Sequence, residues 1–376
     1  MPWRCICTRQ KNGRCSNRRL HRQTARAAVK LADQRPLGGQ LFTREQYLNP
    51  MIEHGCVSAE KGWHALPEAS GLYLKEHSWG EFVFDFAWAN AYAQHGLNYY
   101  PKLVSCVPFT PVAGPRLVLP PNELESLAQT RGCSSAHALF CVPDEVEQLS
   151  SANWLRREDV RFVWHNQGYS AFSDFLSALS QKKSKNIKRE RRRVAEAEVE
   201  IEWLAAADLP ASDWPRLYQL YASTYAMRGQ EPYLNMPCLK AWAANFGERL
   251  QFCLARHDGE LIAMAFFFVD GDTLYGRHWG AAADFHSLHF ELCYYQGIEY
   301  AIANGLQRFD AGVQGGHKLA RGFDPEVSVS MHWIAHEGFR AAIARWLSQE
   351  RDAVAEQCAA IDEHSAYKNS HRSITL

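Results

Sequence analysis

Polar and titratable side chains are concentrated between residues 273 and 322 of this chain. Strand ends and helix N-termini leave N–H groups unpaired, so side chains placed there can meet an anion, a carbonyl oxygen or a transferable proton. Folding alone does not require so many ionisable groups, and the stretch predicts a substrate site. Any one member, taken singly, could equally be a solvated loop residue. The set comprises Arg277, His278, His286, His289, Glu291, Asp310, Gln314, His317, Lys318 and Arg321.

The elements that would position these side chains follow from the pattern around them. Two apolar runs flank the turn signal at 270–272 and predict a pair of strands joined by a hairpin. Helical spacing from His289 onward, closed by Asn304-Gly305, predicts a helix with a typical C-cap. The run 306–311 predicts a further strand, and glycines free the backbone directly after it. Those glycines are Gly312, Gly315 and Gly316.

Composition bounds the class of protein. A chain of 376 residues suggests two domains at about 150 residues each, and 47% hydrophobic residues are ample for packed cores. The 41 basic and 41 acidic side chains balance, so overall charge requires neither nucleic acid nor an anionic membrane as a partner. No apolar run has the length of a transmembrane helix. We expect a cytoplasmic protein.

Residues 1–40 differ from the rest because Arg and Lys recur and Asp33 is the only acidic residue. We interpret them as a disordered or non-native leader. An organelle transit peptide and a polybasic arm remain alternatives. Zinc at Cys5, Cys7 and Cys15 is disfavoured because a second correctly spaced pair of ligands is missing.

The other cysteines are scattered without a Cys-x-x-Cys pair, which favours reduced, buried thiols. Cys293 is the one that could be taken for a nucleophile, since it lies on the predicted helix of the site. No setting that would lower its pKa can be identified in the sequence around it. We therefore expect Cys293 to belong to the core.

The first globular domain is predicted at 41–168, where strands and helices alternate as in an α/β protein. Its segment Tyr99-Tyr100-Pro101-Lys102 is rigid and aromatic. Tyr100 and Lys102 are thus candidates for the wall of a cleft. A purely structural turn explains the segment equally well.

A basic cluster joins the two halves. On a helix these charges form a broad cationic face, which is either simply solvated or an anion site for the phosphates of RNA or of a cofactor. Four of its members are assigned to such a phosphate or RNA site. They are Lys182, Lys183, Lys185 and Arg189.

The second domain is predicted at 169–345. The pattern from Val199 predicts, in order, strand, helix, helix, three strands, helix and strand, followed by a last strand at 327–334. The tail, 346–376, continues an amphipathic helix that we expect to pack on this domain, and its last ten residues look disordered.

That order resembles the acyltransferase fold of the GNAT superfamily, and longer motifs resemble the FemAB-like family of N-acyltransferases related to peptidoglycan biosynthesis. The resemblance covers roughly residues 41–345. The motifs are the basic helix Lys-Lys-Ser-Lys-Asn-Ile-Lys-Arg-Glu-Arg, Gly-Arg-His-Trp-Gly, Leu-His-Phe-Glu-Leu-Cys-Tyr-Tyr-Gln-Gly-Ile-Glu, Gln-Gly-Gly-His-Lys-Leu-Ala-Arg-Gly-Phe, Tyr-Tyr-Pro-Lys-Leu and Val-Pro-Phe-Thr-Pro-Val-Ala-Gly-Pro-Arg-Leu.

The resemblance implies two tandem GNAT-like domains, each a mixed sheet flanked by helices. It also implies transfer of an acyl or aminoacyl group from acyl-CoA or aminoacyl-tRNA, as co-substrate, to a small-molecule or peptide amine, with no tightly bound cofactor. Two departures stand out. The glycine-containing pyrophosphate loop of GNAT enzymes is absent at 281–288, and a strand expected before Leu72 is missing, so the first domain looks incomplete.

Acyl transfer needs a base for the amine proton and donors for the oxyanion. We assign Glu291 or His289 as the base and Lys318 as a further catalytic group. The predicted substrate-binding residues are Arg277, His278, Tyr294, Gln314, Gly315, Gly316, His317, Arg321, Tyr100 and Lys102.

Two other functions compete with this assignment. The same cleft and basic helix could bind an aminoacylated RNA or peptide without catalysis. A metal enzyme could use His286, His289 and His317, but no carboxylate pattern accompanies them. We predict no metal site.

Overall fold

The strands of both predicted domains join in one mixed sheet of eleven strands. The computed structural model describes residues 40–282, 285–313, 315–363 and 366–368, so the predicted leader falls almost wholly outside the described residues. A mixed sheet flanked by helices confirms the predicted fold class. The strands are β1 Trp63–Ala65, β2 Leu72–Lys75, β3 Lys102–Ser105, β4 Ser135–Ala138, β5 Leu155–His165, β6 Glu200–Ala205, β7 Leu250–His257, β8 Glu260–Asp270, β9 Thr273–Ala281, β10 Arg308–Asp310 and β11 Asp324–Ile334.

Helices cover both faces of this sheet. One of them, α9, is interrupted by a π-helical turn, and a 3₁₀ segment, Gly316–Arg321, precedes β11. The helices are α1 Glu45–Glu53, α2 Phe86–Gln94, α3 Pro121–Thr130, α4 Pro143–Ser151, α5 Phe172–Ala178, α6 Gln181–Glu196, α7 Trp214–Ala226, α8 Met236–Phe246, α9 with its segments Leu288–Phe290, Glu291–Tyr295 and Gln296–Ala303, and α10 Glu337–Glu363.

The two halves repeat one strand arrangement. In the first half β1, β2 and β3 are antiparallel neighbours, and β3 pairs with β4 in parallel. In the second half β6 to β9 are antiparallel neighbours, and β9 pairs with β10 in parallel. A helix, α3 or α9, connects each parallel pair, as a parallel connection requires.

Each half is completed by the last strand of the other. The sheet order is β1-β2-β3-β4-β11-β5-β10-β9-β8-β7-β6. Strand β5, from the first half, pairs with β10, while β11, from the second half, pairs with β4. The two exchanged strands also pair with each other, 324–332 against 155–163. The predicted domains therefore cannot separate without breaking the sheet.

One expectation for the first half is wrong. A strand does precede Leu72, because Trp63–Ala65 pairs with Tyr73 to Lys75, and the first half is more complete than predicted. Helix α3 begins with Pro121, after the N-cap Pro120. Proline is well suited to the first helical turn, since its missing N–H would be unpaired there anyway.

The prediction for the tail holds for only part of α10. Ile343 and Leu347 join a core cluster with Trp88 and Tyr92 of α2 in the first half, whereas Val354 joins the core beneath α5, α6 and α9 in the second half. The contact with the first half follows from the strand exchange, because β11 carries the chain into the sheet of the first half just before α10 begins. Among the described residues, no helix combines the length and apolarity needed to cross a membrane.

The sheet separates two large cores in the second half. Along β8, Phe266 and Phe268 face the core formed with α7, α8 and α1. Ala265, Phe267 and Val269 alternate with them and face the core beneath α5, α6 and α9. This alternation is the period of two expected of a strand buried on both faces. It places α9 and α7 on opposite sides of β9.

Gly280 of β9 permits the close approach of α7. A Cβ atom built there would lie 1.9 Å from the carbonyl oxygen of Leu220, a backbone atom of α7. We predict that Gly280→Ala lowers the free energy of unfolding by about 1–3 kcal/mol, because the helix must shift. Urea unfolding checks this, with Gly316→Ala as control, since nothing lies within 4 Å of that Cβ. Unchanged stability of the Gly280 variant would contradict the packing described.

Candidate active site

A cleft opens where the parallel strands β9 and β10 part. The strands pair only from Thr273 to Tyr275 and from Arg308 to Asp310, after which β10 ends and β9 continues to Ala281. The cleft between them has a volume of about 150 Å³. It is lined by Ala265, Phe266 and Phe267 of β8, Gly276, Arg277, His278 and Trp279 of β9, His289, Cys293 and Tyr294 of α9, and Ala311.

A bulge in β9 sets the directions of two of these side chains. Gly276 is opposite Phe267 and His278 is opposite Phe266, so Arg277 has no opposite residue in β8. Bulges re-aim side chains and recur beside functional sites. Both Arg277 and His278 consequently face α7 and the segment before α1 rather than α9: the ring of His278 lies 5.1 Å from that of Tyr221, and the guanidinium of Arg277 lies 6.0 Å from the ring of Phe42.

The π-helical turn of α9 brings a histidine and a tyrosine to the other wall. The predicted helix does begin near His289, but residues Glu291–Tyr295 form a wider turn before α9 continues. Such turns are rare and occur frequently at functional sites. The ring centroid of His289 lies 5.5 Å from that of Tyr294 and 5.3 Å from that of Trp279.

Tyr294 connects the cleft to solvent. Its hydroxyl oxygen lies 2.8 Å from Nε2 of His317 in the glycine loop. Tyr294 is buried, with 5% of its surface exposed, whereas His317 is exposed. Burial, mainly, raises the pKa of Tyr294, so the phenol stays protonated. A hydrogen-bonded path for a proton thus leads from the cleft to the surface.

The histidines of the cleft are neutral at neutral pH. Burial is the largest cause lowering the pKa of His289 to about 4, and His317, Arg321 and Lys318 add to it. Burial and then Arg277 lower the pKa of His278 to about 3. The pKa of His317 is also lowered, by burial, Arg321 and Lys318. Neutral imidazoles can accept a hydrogen bond from a substrate.

Lys318 supports the floor of the cleft from behind. Its ammonium donates hydrogen bonds to the carbonyl oxygens of Ala311, at 2.6 Å, and Gly312, at 3.0 Å. Burial lowers the pKa of Lys318 to about 8, against the opposing effect of Asp310. The Asp310 carboxylate itself accepts from the Gly312 N–H at 2.8 Å and from Arg161 at 3.2 Å. These bonds fix the chain where β10 ends.

Arg321 and Glu291 hold α6 against the site instead of lining the cleft. Arg321 binds both carboxylate oxygens of Glu190, at 3.0 and 3.1 Å, and lies 3.4 Å from the Phe290 ring. Glu291 accepts from Arg191 at 3.1 Å and Gln296 at 2.8 Å. Burial is the largest cause raising the pKa of Glu291. The predicted base is thereby directed toward α6 and away from His289.

Helix α6 is amphipathic, as its pattern predicts. Ile187 and Val194 are buried, while Glu190 and Arg191 face α9 and the 3₁₀ segment through the ion pairs just described. Cations at spacings of three and four residues remain on its outer side. The exposed ones are Lys182, Lys185, Lys188, Arg189, Arg192 and Arg193, and Lys183 is partly buried.

Tyr100 and Lys102 belong to a separate buried network in the first half. The Lys102 ammonium donates to Asp85 at 2.5 Å, Glu81 at 2.7 Å and Ser78 at 3.0 Å, and the Tyr100 hydroxyl lies 2.9 Å from the Ser78 hydroxyl. All three N–H donors of Lys102 are therefore engaged, and neither residue lines the cleft. Tyr100 and Lys102 therefore fit the alternative in which the segment 99–102 is a purely structural turn.

The remaining candidates lie around the loop. His286 is exposed beside Arg193, at 2.9 Å, and does not line the cleft. Gly315 has a φ of 104°, a conformation that favours glycine, and Gly316 is exposed next to it. Gln314 lies outside the described residues. Within the described ranges, no group of three His, Cys, Asp or Glu side chains is arranged to hold a metal ion.

Sequence reasoning missed three features of the site. Glu190 is the single acid among eight cations of the basic cluster, and such an isolated acid is itself a signal of an internal partner. Trp279 was quoted in a motif but given no role in the cleft. No sequence signal announced the π-helical turn. Cys293 does line the cleft, yet burial raises the pKa of its thiol, as expected of an inert cysteine.

A protein-family model matches most of the chain. The model of the FemAB-like family, described as peptidoglycan biosynthesis and recognition, matches residues 27–369. No curated protein matches the sequence.

The chain also matches several solved structures at low sequence identity. The structure of FemX is 9% identical, with a TM-score of 0.49 over 81% of this chain and 94% of that one. L-PGS from Bacillus licheniformis is 10% identical, with a TM-score of 0.44 over 77% and 91%. A GCN5-related N-acetyltransferase from Kribbella flavida is 13% identical, with a TM-score of 0.30 over 76% and 93%.

We predict that the ring of His289 stays unprotonated until the pH approaches about 4. Its unfolded counterpart binds a proton near pH 6.5, so this residue makes the fold less stable as the pH falls from 6.5 to 4, by about 1.4 kcal/mol per unit at most. NMR titration of the histidine rings measures the value, with His289→Gln to assign the signal. Lys318→Met should raise this pKa. Titration near 6.5 would contradict the burial described.

Proposed function

The chain belongs to the FemAB-like family, and we propose that it transfers an acyl or aminoacyl group to an amine bound in the cleft between β9 and β10. The observation that carries this proposal is the link from buried Tyr294 to exposed His317. Attack by an amine on an acyl group releases a proton, and the link gives that proton a route from the cleft to the surface.

The reaction needs no covalent enzyme intermediate, and each proton that moves has a donor and an acceptor. The amine nitrogen forms a bond to the acyl carbon, and the carbonyl electrons move to its oxygen. The amine proton passes to the Tyr294 oxygen as the phenolic proton passes to Nε2 of His317, which acts as the base. The oxyanion then re-forms the carbonyl, the bond to the donor oxygen or sulfur breaks, and the leaving atom takes a proton back along the same route.

His289 fits a positioning role in this scheme. It lines the cleft close to Tyr294, and its lowered pKa leaves it neutral and able to accept a hydrogen bond from the amine. With a pKa of about 4 it is a weak base, because an effective base has a pKa near the working pH. His317 is more exposed and better placed to release a proton to water. Lys318 acts indirectly, by fixing the carbonyls of Ala311 and Gly312.

We further propose that the donor is an aminoacyl ester of tRNA. Two features of the chain support this donor over acyl-CoA. The cationic outer face of α6 carries a row of exposed Lys and Arg side chains suited to phosphates. The 281–288 segment before α9 contains no glycine with which to wrap a pyrophosphate. The acceptor would be a small or peptidyl amine, in keeping with the peptidoglycan association of the family.

Donor identity is tested by equilibrium binding of labelled aminoacyl-tRNA and of acetyl-CoA, each at two salt concentrations. We expect tRNA binding that weakens with salt and is lost when Lys182, Lys185 and Arg189 are changed to Ala, because phosphate contacts release counterions. The matched control changes three exposed cations elsewhere, Lys61, Lys240 and Arg345. Binding of acetyl-CoA alone would refute the tRNA donor. Binding equal in both variants would refute the role of α6.

The proton route is tested with Tyr294→Phe and His317→Gln. Each variant breaks the link between cleft and surface, so the rate constant of the transfer step should fall by about 10²- to 10⁴-fold while donor binding persists. Transfer is measured in a single turnover with aminoacyl-tRNA and an amine. Tyr300→Phe, a partly buried tyrosine of α9 outside the cleft, is the control. If tRNA binds but no amine is ever acylated, the chain is a binding module and the proposal fails.

A further inference from the structure

Arg277 is the only side chain with a permanent charge among the described residues that line the cleft. No carboxylate of the described residues forms an ion pair with it, whereas Arg161, Arg191, Arg256 and Arg321 all have such partners. A cation withdrawn from water without a counter-ion is costly. An arginine cannot reduce that cost by losing its proton, because its charge persists at any ordinary pH.

The protein holds this guanidinium in place but leaves part of it unused. Nη2 of Arg277 donates to the carbonyl oxygen of Phe109 at 2.8 Å, and the ring of Phe42 lies 6.0 Å away. Nε is buried and has no hydrogen-bond partner. The bulge in β9 fixes the backbone that carries the side chain. The side chain lines the cleft with this N–H unsatisfied, so the guanidinium can still donate to a group that binds there.

We propose that Arg277 binds a carboxylate carried by the amine acceptor. This inference rests on the proposed function for the identity of the amine, but the carboxylate site can be tested by binding alone. A planar carboxylate matches the guanidinium geometry and forms charge-assisted hydrogen bonds with it. An acceptor bound here would place its carboxylate at Arg277 and its amine toward the wall formed by Tyr294. Amino acids and peptides with a free carboxylate have both groups.

A phosphate fits this site less well. The Phe109 carbonyl oxygen lies beside the guanidinium and repels a doubly charged anion. The neighbouring walls are apolar or aromatic, with Phe266, Phe267 and Trp279, and the two histidines there are neutral. A single monovalent anion thus balances the charge of the cleft. The volume of about 150 Å³ also favours a small group.

The test compares glycylglycine with glycylglycinamide, which differs from it only at the carboxylate, and with 2-aminoethyl phosphate, an amine that carries a phosphate instead. Their binding to the full-length protein is followed through the NMR signal of the Trp279 indole. We expect glycylglycine to bind about tenfold more tightly than its amide, the size of one charge-assisted hydrogen bond. Arg277→Gln should abolish that preference, and Arg277→Lys should retain part of it. Arg216→Gln, on α7 outside the cleft, is the control.

The outcomes separate this inference from the proposed function. Equal affinity for dipeptide and amide, absence of binding by all three, or a preference unaffected by Arg277→Gln would each overturn the carboxylate site. Tighter binding of the phosphate would overturn it in favour of a phosphorylated acceptor. None of these results bears on the Tyr294 route, whose own variants decide whether transfer occurs. Arg277→Lys keeps a cation in place, so its partial preference remains informative even if Arg277→Gln is poorly folded.

Discussion

The parting of two parallel strands is the constraint on which the site depends. Where β9 and β10 diverge, backbone groups lose their partners in the sheet and must be satisfied otherwise. Lys318 does this by donating to the carbonyls of Ala311 and Gly312 just beyond β10. In the first half Arg116 does the same beyond β4, donating to the carbonyl of Leu139 at 2.8 Å. A buried cation thus supports the end of the parallel pair in both halves.

The two halves differ in what fills the gap between those strands. Arg116 is 2% exposed, its guanidinium also donates to the carbonyls of Pro115 and Val112, and the proline-rich loop around it closes over the space. The second half leaves the corresponding space open as a cleft. The closed half still contributes, since its loop provides the Phe109 carbonyl that holds Arg277. Exchange of β5 and β11 keeps the two halves in the fixed relation this contact needs.

The sequence predicted local features well and long-range ones poorly. The hairpin of β8 and β9 and the start of α9 follow from patterns a few residues long, and so does the stretch that contains the cleft. Pairing of β5 with β11 joins residues about 170 apart, and no local pattern encodes it. The pairing of Glu291 with Arg191 is not encoded locally for the same reason, because the two residues are 100 positions apart. Tyr294 was selected as a substrate-binding residue, but its link to His317 depends on a loop conformation that sequence does not reveal.

Three buried or partly buried cations differ in the partners that balance their charge, and this difference distinguishes a structural cation from one that can bind a ligand. Lys102 has three acceptors, and two of them are carboxylates. Burial alone would lower the pKa of Lys102, but the two carboxylates outweigh that effect and raise it. Lys75 forms no ion pair with a carboxylate of the described residues and lies 3.5 Å over the Trp63 ring. Burial lowers its pKa to about 7. A buried lysine without a counter-ion can therefore avoid the cost of a buried charge by releasing its proton. Arg277 has neither remedy, which is why its environment is complete only when an anion enters the cleft.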